Sequence, residues 1–176
     1  MTEPERDHLW NRVRRQVETL EPRDGREATS RLRILADLDR LARPFEREAG
    51  PIHVTGSSIV IGRRGVVLHL HRLLNLWLQP GGHIDAGESP WDAALREAAE
   101  ETGLPVRLRD EELVHVDVHA AARGHFHLDL RYVVDAEDVE PKPPPGESQE
   151  VRWFSWGDAI EIADPGLVGA LRALRP

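Results

Sequence analysis

Residues 82–104 read GHIDAGESPWDAALREAAEETGL. Within this stretch Glu97, Glu100 and Glu101 stand at i, i+3 and i+4, so a helix would gather their carboxylates on one face. Like charges this close destabilise a helix unless a cation binds beside them. The other face has the spacing that suits packing on a sheet and carries Trp91, Leu95, Ala98 and Thr102. The stretch therefore predicts a helix that is buried on one side and holds a hard metal ion on the other.

Both ends of this helix are marked in the sequence. Ser89 is a good N-cap, and Pro90 fits the first helical position, where a missing N–H costs nothing. Gly103 follows the last turn, where a left-handed residue is often required. The preceding residues 80–82, Pro-Gly-Gly, predict a turn whose backbone can approach a ligand or metal closely.

The stretch resembles the Nudix box, G-x5-E-x7-R-E-U-x-E-E-x-G-U, in which U is apolar. Every fixed position of the box is matched, by Gly82, Glu88, Arg96, Glu97, Glu100, Glu101 and Gly103, with Ala98 and Leu104 at the apolar positions. The resemblance to the Nudix hydrolase superfamily implies an α/β fold, an α/β/α sandwich with a mixed sheet. The alternative interpretation of the glutamates is a solvated acidic helix face.

The resemblance also implies an activity, that of a magnesium-dependent pyrophosphohydrolase acting on phosphoanhydride bonds. We expect it to cleave a diphosphate linkage in a nucleoside diphosphate joined to another moiety. Glu97, Glu100 and Glu101, with a backbone carbonyl of Gly81 or Gly82, would hold Mg²⁺, for which Mn²⁺ could substitute. Glu97 is a candidate general base. The two remaining charged box residues, read as supports that orient the others, are Glu88 and Arg96.

Composition excludes several classes of protein. The 176 residues contain no cysteine, which rules out disulfides, thiolate zinc sites and a cysteine nucleophile, including the one that a prenyl-diphosphate isomerase of related fold would need. The net charge of −8 disfavours nucleic acid as a partner and favours a bound cation where a small phosphorylated substrate must approach. We see no membrane span and no signal peptide, and therefore expect a cytoplasmic protein.

Residues 1–50 are expected to form an N-terminal helical extension, with helices over 5–20 and 29–45. This extension could cover one side of the domain, line the substrate pocket or form a homodimer contact. Residues 51–176 are expected to form the Nudix hydrolase domain. Its expected strands are 52–61, 66–71, 76–79, 113–119, 125–134 and 151–155, followed by helices near 157–163 and 167–174.

Polar residues alternate along two of these strands. The first strand carries His115, Asp117 and His119, and the second carries His125, His127, Asp129 and Arg131. Period-two alternation places each set on one face of a sheet. This face is either half-solvated or a pocket for substrate phosphate or base, with candidate binding residues His119, His125, His127, Asp129 and Arg131. A second metal site is a third interpretation, which His69, His71 and His83 could join.

A further metal-binding carboxylate is expected from the loop beyond the box. The candidates are Glu147 and Glu150, which lie between a proline-rich segment and the strand at residues 151–155. An alternative function is also open, a non-catalytic module of the same fold that senses a nucleotide or binds a partner.

Overall fold

A computed structural model describes residues 2–121 and 124–176. Helices and strands succeed one another along the chain, and the strands form one eight-stranded sheet. The elements are α1 Glu3–Thr19, α2 Gly25–Arg40, a 3-10 turn Arg47–Ala49, β1 Ile52–Gly62, β2 Gly65–His71, β3 Leu76–Leu78, β4 Gly81–His83, α3 Pro90–Thr102, β5 Val106–Leu108, β6 His115–Ala120, β7 Phe126–Ala136, β8 Val151–Phe154, α4 Trp156–Ile162 and α5 Pro165–Leu174.

The sheet is mixed, as the sequence predicts. Its centre is the parallel pair β1 and β7, in register from Ile52 opposite Phe126 to Ile61 opposite Asp135. The other pairings are antiparallel. Strand β1 pairs with β4 along its first half and with β2 near its end, while β7 pairs first with β6 and later with β5. Strands β3 and β8 complete the sheet beside β2.

Helices cover both faces of the sheet, which confirms the α/β/α sandwich. On one face Ala98 and Leu104 pack with Val60 and Val67. On the other face Leu167 and Leu171 of α5 pack with the β1 and β2 residues Ile59, Val66 and Leu68. Neighbouring residues such as Ile59 and Val60 point to opposite faces of the sheet, and so to different helices, because side chains alternate along a strand.

The N-terminal helices share a core with the rest of the chain. Val13 and Ile34 are fully buried in one cluster with Trp91 of α3 and Tyr132 of β7. Burial of such side chains is worth about 1.5–3 kcal/mol each, so α1 and α2 stabilise the domain on which they pack. The boundary at residue 50 stays a prediction.

Helix α2 also protects an edge of the sheet. Strand β6 pairs only with β7 among the described strands, so its outer N–H groups need other partners. Val116 N–H donates to Glu27 Oε1 at 3.2 Å, and Val118 N–H donates to Ser30 Oγ at 3.1 Å. Polar groups of α2 thereby occupy positions where another strand could otherwise add to the sheet.

Several predicted boundaries are wrong for identifiable reasons. Helix α2 spans 25–40 rather than 29–45, because Asp24 caps its first turn and residue 44 is a proline. Gly81 and Gly82, predicted as part of a turn over residues 80–82, lie in β4, and β5 was not predicted. Both strands are only three residues long and show no alternation, so only tertiary pairing creates them. None of the helices in the described ranges is both long and apolar enough to cross a membrane.

Candidate active site

Local interactions fix both ends of α3, which carries the box glutamates. Asp92 N–H donates to Ser89 Oγ at 3.2 Å, and Ser89 N–H donates to the Asp92 carboxylate at 3.3 Å, which forms a capping box. At the other end Gly103 adopts φ 62°, the left-handed conformation that ends many helices. The predicted helix is thus confirmed with its predicted ends.

Two of the glutamates lie against the backbone of β4. A Cβ atom added to Gly82 would stand 2.2 Å from Glu97 Oε1, so only glycine allows this close approach. Gly81 N–H donates to Glu101 Oε2 at 3.0 Å. Glu100, whose side chain is 54% exposed, lies on the solvent side of the pair. The three carboxylates therefore gather at the edge of β4, and the Gly82 backbone lies directly beside Glu97.

Arg96 forms hydrogen bonds with three glutamates of the box. Its Nε and Nη2 donate to the two oxygens of Glu88 at 2.8 and 3.0 Å, and its Nη1 donates to Glu97 at 2.8 Å and Glu100 at 3.2 Å. Nη2 also donates to the carbonyl of His83 at 2.9 Å. The paired guanidinium lowers the pKa of Glu88, and Glu88 in turn raises the pKa of Arg96. Arg96 therefore contacts Glu88, Glu97 and Glu100, while the orienting role expected of Glu88 and Arg96 stays a prediction.

The electrostatics of the cluster favour a bound cation. Burial is the largest cause that raises the pKa of Glu101, to about 8, and the charges of Glu97, Glu147 and Glu100 add to it. Burial also raises the pKa of Glu97. His69 Nδ1 lies 3.8 Å from Glu101, and burial lowers the pKa of His69 to about 4, so it supplies no positive charge at neutral pH. Buried carboxylate oxygens beside a glycine backbone form the donor set that a hard divalent ion prefers.

The two candidates for an additional carboxylate are placed differently. Glu147 is half-buried and close enough for its charge to raise the pKa of both Glu97 and Glu101. Its loop is held to the end of β2, where Arg72 Nη1 donates to the Gly146 carbonyl at 3.1 Å. Glu150 is exposed and forms an ion pair with its neighbour Arg152. The structure therefore brings Glu147, and not Glu150, towards the cluster.

The polar face of β6 and β7 is buried at His115, Asp117, Asp129 and Arg131, whereas His119, His125 and His127 at its other end are half-buried. Asp129 and Arg131 are 1% and 2% exposed. Asp129 accepts hydrogen bonds from Thr55 at 2.9 Å, Ser57 at 2.6 Å and Arg131 Nε at 2.8 Å. Arg131 Nη1 also donates to the Gly166 carbonyl at 2.5 Å. Asp129 and Arg131 thus have protein partners and no access to a substrate, which corrects the expectation that they bind one.

A second ion pair extends this network to α2. Asp117, 1% exposed, accepts from Arg26 Nε at 2.8 Å, and His119 Nδ1 lies 3.3 Å from the same carboxylate. Although burial acts in the opposite direction, His119 and Arg26 hold the pKa of Asp117 well below its usual range. His115, 2% exposed, is likewise enclosed. The ion pair between Arg26 and Asp117 thus holds α2 against β6.

The remaining histidines divide into two groups. His83 and His127 converge with His53 of β1, which the sequence analysis did not single out, and the ring centroids of these three lie 5.1–5.2 Å apart. The alternation of His53 with Thr55 and Ser57 along β1 was the signal that could have identified it. The rings at the margin of this group are His119, 5.3 Å from His127, and His125, 5.4 Å from His53. The two histidines of β2, His69 and His71, pack against each other.

Comparison with known proteins gives consistent matches. A model of the NUDIX domain matches residues 45–174, which begin after α2. The chain is 30% identical over 99 residues to the asymmetrical bis(5'-nucleosyl)-tetraphosphatase of Caenorhabditis elegans, covering 54% of this chain and 70% of that protein. It is 27% identical over 146 residues to the RNA pyrophosphohydrolase of Brucella anthropi, covering 69% and 84%. A NUDIX-family hydrolase from Clostridium perfringens superimposes with a TM-score of 0.60 at 29% identity, covering 70% of this chain and 98% of that one.

Proposed function

This chain belongs to the NUDIX family, and we propose that it uses Mg²⁺ to hydrolyse a diphosphate linkage in a nucleoside diphosphate joined to another moiety. It is a pyrophosphohydrolase that acts on phosphoanhydride bonds. The names of two relatives support a nucleotide substrate: one is a bis(5'-nucleosyl)-tetraphosphatase, and the other is an RNA pyrophosphohydrolase. A small phosphorylated substrate is also consistent with the acidic cluster, because a cation bound to the glutamates would allow the negatively charged substrate to approach.

The observation that carries the proposal is the convergence of Glu97 and Glu101 on the edge of β4. Glu97, Glu100 and Glu101 would hold the ion, with a carbonyl of Gly81 or Gly82, and Glu147 is a further carboxylate whose charge acts on Glu97 and Glu101. Mn²⁺, which also prefers oxygen ligands, could replace Mg²⁺. When bound, such an ion neutralises the diphosphate and lowers the pKa of a coordinated water.

Side chains of the box would have separate tasks. Arg96 orients Glu97 by a hydrogen bond of 2.8 Å, and Glu88 holds the guanidinium from its other side. Glu97 is our candidate for accepting a proton from the attacking water, since burial raises its pKa towards the working range of a general base. His69 Nδ1 lies 3.8 Å from Glu101, but burial lowers the pKa of His69 to about 4, so its ring is neutral at neutral pH. The negative charge of the glutamates is therefore not neutralised by His69 and can bind the metal.

The proposal is tested by incubating the chain with Mg²⁺ and a panel of nucleoside diphosphates linked to sugars, nucleosides or phosphates. We expect release of a nucleoside monophosphate or phosphate, and loss of turnover in Glu97→Gln, Glu100→Gln and Glu101→Gln. Glu161→Gln, a change of an exposed glutamate in α4, is the matched control and should behave as the unmodified chain. Nucleotide-dependent thermal stabilisation without turnover, unchanged by Glu100→Gln, would contradict the proposal and favour the non-catalytic module.

Two further proposals concern the whole molecule. We propose a cytoplasmic location and a homodimer contact through α1 and α2. Light scattering behind size exclusion tests the dimer: we expect twice the mass of 19.9 kDa, and a monomer at all concentrations would refute it.

A further inference from the structure

Three histidine side chains from three strands meet on the face of the sheet that lies away from α3. Parallel pairing of β1 and β7 places His53 beside His127, and antiparallel pairing of β1 and β4 places His83 opposite Thr55. Each ring offers a nitrogen, and the three nitrogens lie within 4.8 Å of one another. Zinc–nitrogen bonds of about 2.0–2.1 Å imply nitrogens roughly 3.4 Å apart in a tetrahedral site. Small rotations of the rings therefore suffice to close the cluster around one ion.

His53 is held in the orientation of a metal ligand. Its Nδ1 lies 3.3 Å from the carbonyl of Gly50, so Nδ1 carries the hydrogen and donates it. The other ring nitrogen, Nε2, is buried and has no hydrogen-bond partner within residues 2–121 and 124–176. Buried polar atoms are normally satisfied, so this lone pair calls for an explanation. Ligating histidines commonly donate their second nitrogen to a carbonyl in this way.

The protonation of the cluster also suits a metal ion. The ring centroids of His53, His83 and His127 lie 5.1–5.2 Å apart, so positive charges on these rings would repel one another. His53 is also 1% exposed, which disfavours its charged form, so the geometry favours neutral rings that keep a lone pair. A neutral imidazole offers phosphate one N–H donor and no positive charge, whereas its lone pair binds zinc and similar ions well.

The cluster is open on one side. His83 and His127 are half-buried, and His83 borders a groove of about 510 Å³ that is also lined by Arg47 and Glu48. The positive charge of Arg47 opposes a cation, and Glu48, which lies 4.0 Å from Arg47, offsets part of that charge. His119 is bound to Asp117, and this hydrogen bond raises the pKa of His119 despite its burial, so we do not count it as a ligand.

Strand β4 lies between this cluster and the glutamates. Gly82 faces Glu97, whereas the next residue along β4 points to the opposite side of the sheet, because side chains alternate along a strand. The His83 carbonyl, however, accepts a hydrogen bond from Arg96 at 2.9 Å. An ion bound to the His83 ring would thus fix the strand on which the box is assembled.

From these observations we propose that His53, His83 and His127 form a second metal site, which takes one zinc-class transition-metal ion and leaves its fourth position to water. The class follows from the ligands, since three imidazoles suit Zn²⁺, Co²⁺ or Ni²⁺, whereas Mg²⁺ prefers oxygen. The site shares no side chain with the glutamate cluster, so metal binding there can be measured separately from the proposed hydrolase activity.

The test is a Co²⁺ titration of the tag-free, metal-stripped chain in excess Mg²⁺, which occupies oxygen sites but does not compete for imidazoles. Visible absorption distinguishes tetrahedral, nitrogen-bound Co²⁺ from six-coordinate Co²⁺ on carboxylates. We expect one equivalent to bind with the tetrahedral spectrum, and Zn²⁺ to displace it. His83→Gln and His127→Gln should each weaken Co²⁺ binding at least tenfold, whereas His8→Gln, on the exposed side of α1, should leave it unchanged.

A second measurement needs no substitution of a histidine. In a nitrogen-15 spectrum of the histidine side chains of the unmodified chain, Zn²⁺ should shift the ring signals of His53, His83 and His127. Glu101→Gln should leave these shifts intact, so failure of the glutamate site and failure of this site remain distinguishable. Absence of a tetrahedral spectrum, shifts confined to other histidines, or equal Co²⁺ affinity in folded His83→Gln and His127→Gln would each overturn the proposal.

Discussion

Replacing Glu101 with glutamine should stabilise the metal-free chain, and increasingly so as the pH rises. Glutamine keeps an oxygen that can accept the 3.0 Å hydrogen bond from Gly81 N–H, and it removes only the charge. The pKa of Glu101 is raised from 4.5 to about 8, chiefly by burial, so the folded chain holds the proton more tightly than the unfolded chain. Stability of the unmodified chain therefore falls as the pH rises from about 4.5 to about 8.

The size of the effect follows from the pKa. One pKa unit corresponds to about 1.4 kcal/mol, and a shift from 4.5 to about 8 sets an upper limit of about 4 kcal/mol for the change in stability between pH 5 and pH 8.5. The side chain is 15% exposed, and relaxation reduces the effect, so we expect about 2 kcal/mol. In a chain of this length that amounts to a melting temperature higher by about 4–8 °C at pH 8.5.

The assay is thermal unfolding in EDTA at pH 5, 7 and 8.5. Glu101→Gln and the unmodified chain should differ least at pH 5 and most at pH 8.5, whereas Glu161→Gln should follow the unmodified chain throughout. With Mg²⁺ added, only chains that retain Glu101 should gain the full stabilisation by the ion. A Glu101→Gln chain that is no more stable at pH 8.5, or equally stabilised at all three values, would refute the reasoning.

Three other substitutions probe the surroundings of the site. Glu147→Gln should weaken Mg²⁺ binding about tenfold by removing a nearby charge, while Glu150→Gln should have no effect in the same Mg²⁺ titration; equal effects would contradict the placement of the loop. Gly82→Ala should lower kcat about a hundredfold, because its Cβ would displace the Glu97 carboxylate, which stands 2.2 Å away; unchanged kcat in a folded variant would be inconsistent with that contact. Arg131→Met should lower the free energy of unfolding by about 3–5 kcal/mol, since its partner carboxylate becomes a buried unpaired charge. A loss below about 1 kcal/mol in chemical denaturation would show that the network tolerates the change.

The parts of the fold that could be predicted are those governed by local chemistry. Helix α3 was predicted with its ends because Ser89, Pro90 and Gly103 act within one turn of the helix. Strand β4 could not be predicted, since Gly81 and Gly82 have low strand propensity and form a strand only by pairing with β1. The same pairing brings the glycine backbone to the glutamates, so the site depends on a contact that the sequence does not display.

The polar residues of β6 and β7 show a second limit of prediction from the sequence. Their alternation predicts a shared face, and the register of Asp117 opposite Asp129 confirms it. Whether that face is open depends on the elements above it, and here Arg26 of α2 and the Gly166 carbonyl of α5 cover it. The alternation along a strand predicts which face of the sheet each side chain occupies. It does not predict which elements pack on that face, so the burial of Asp117, Asp129 and Arg131 was not predicted.

The proposed role of the glutamates is tested most directly by anomalous diffraction from a crystal soaked in Mn²⁺ and measured at the manganese edge. We expect a peak between the carboxylates of Glu97 and Glu101, beside the backbone of β4. Absence of a peak there, in a crystal whose enzyme hydrolyses its substrate with Mn²⁺ in solution, would contradict the assignment of these side chains to the metal.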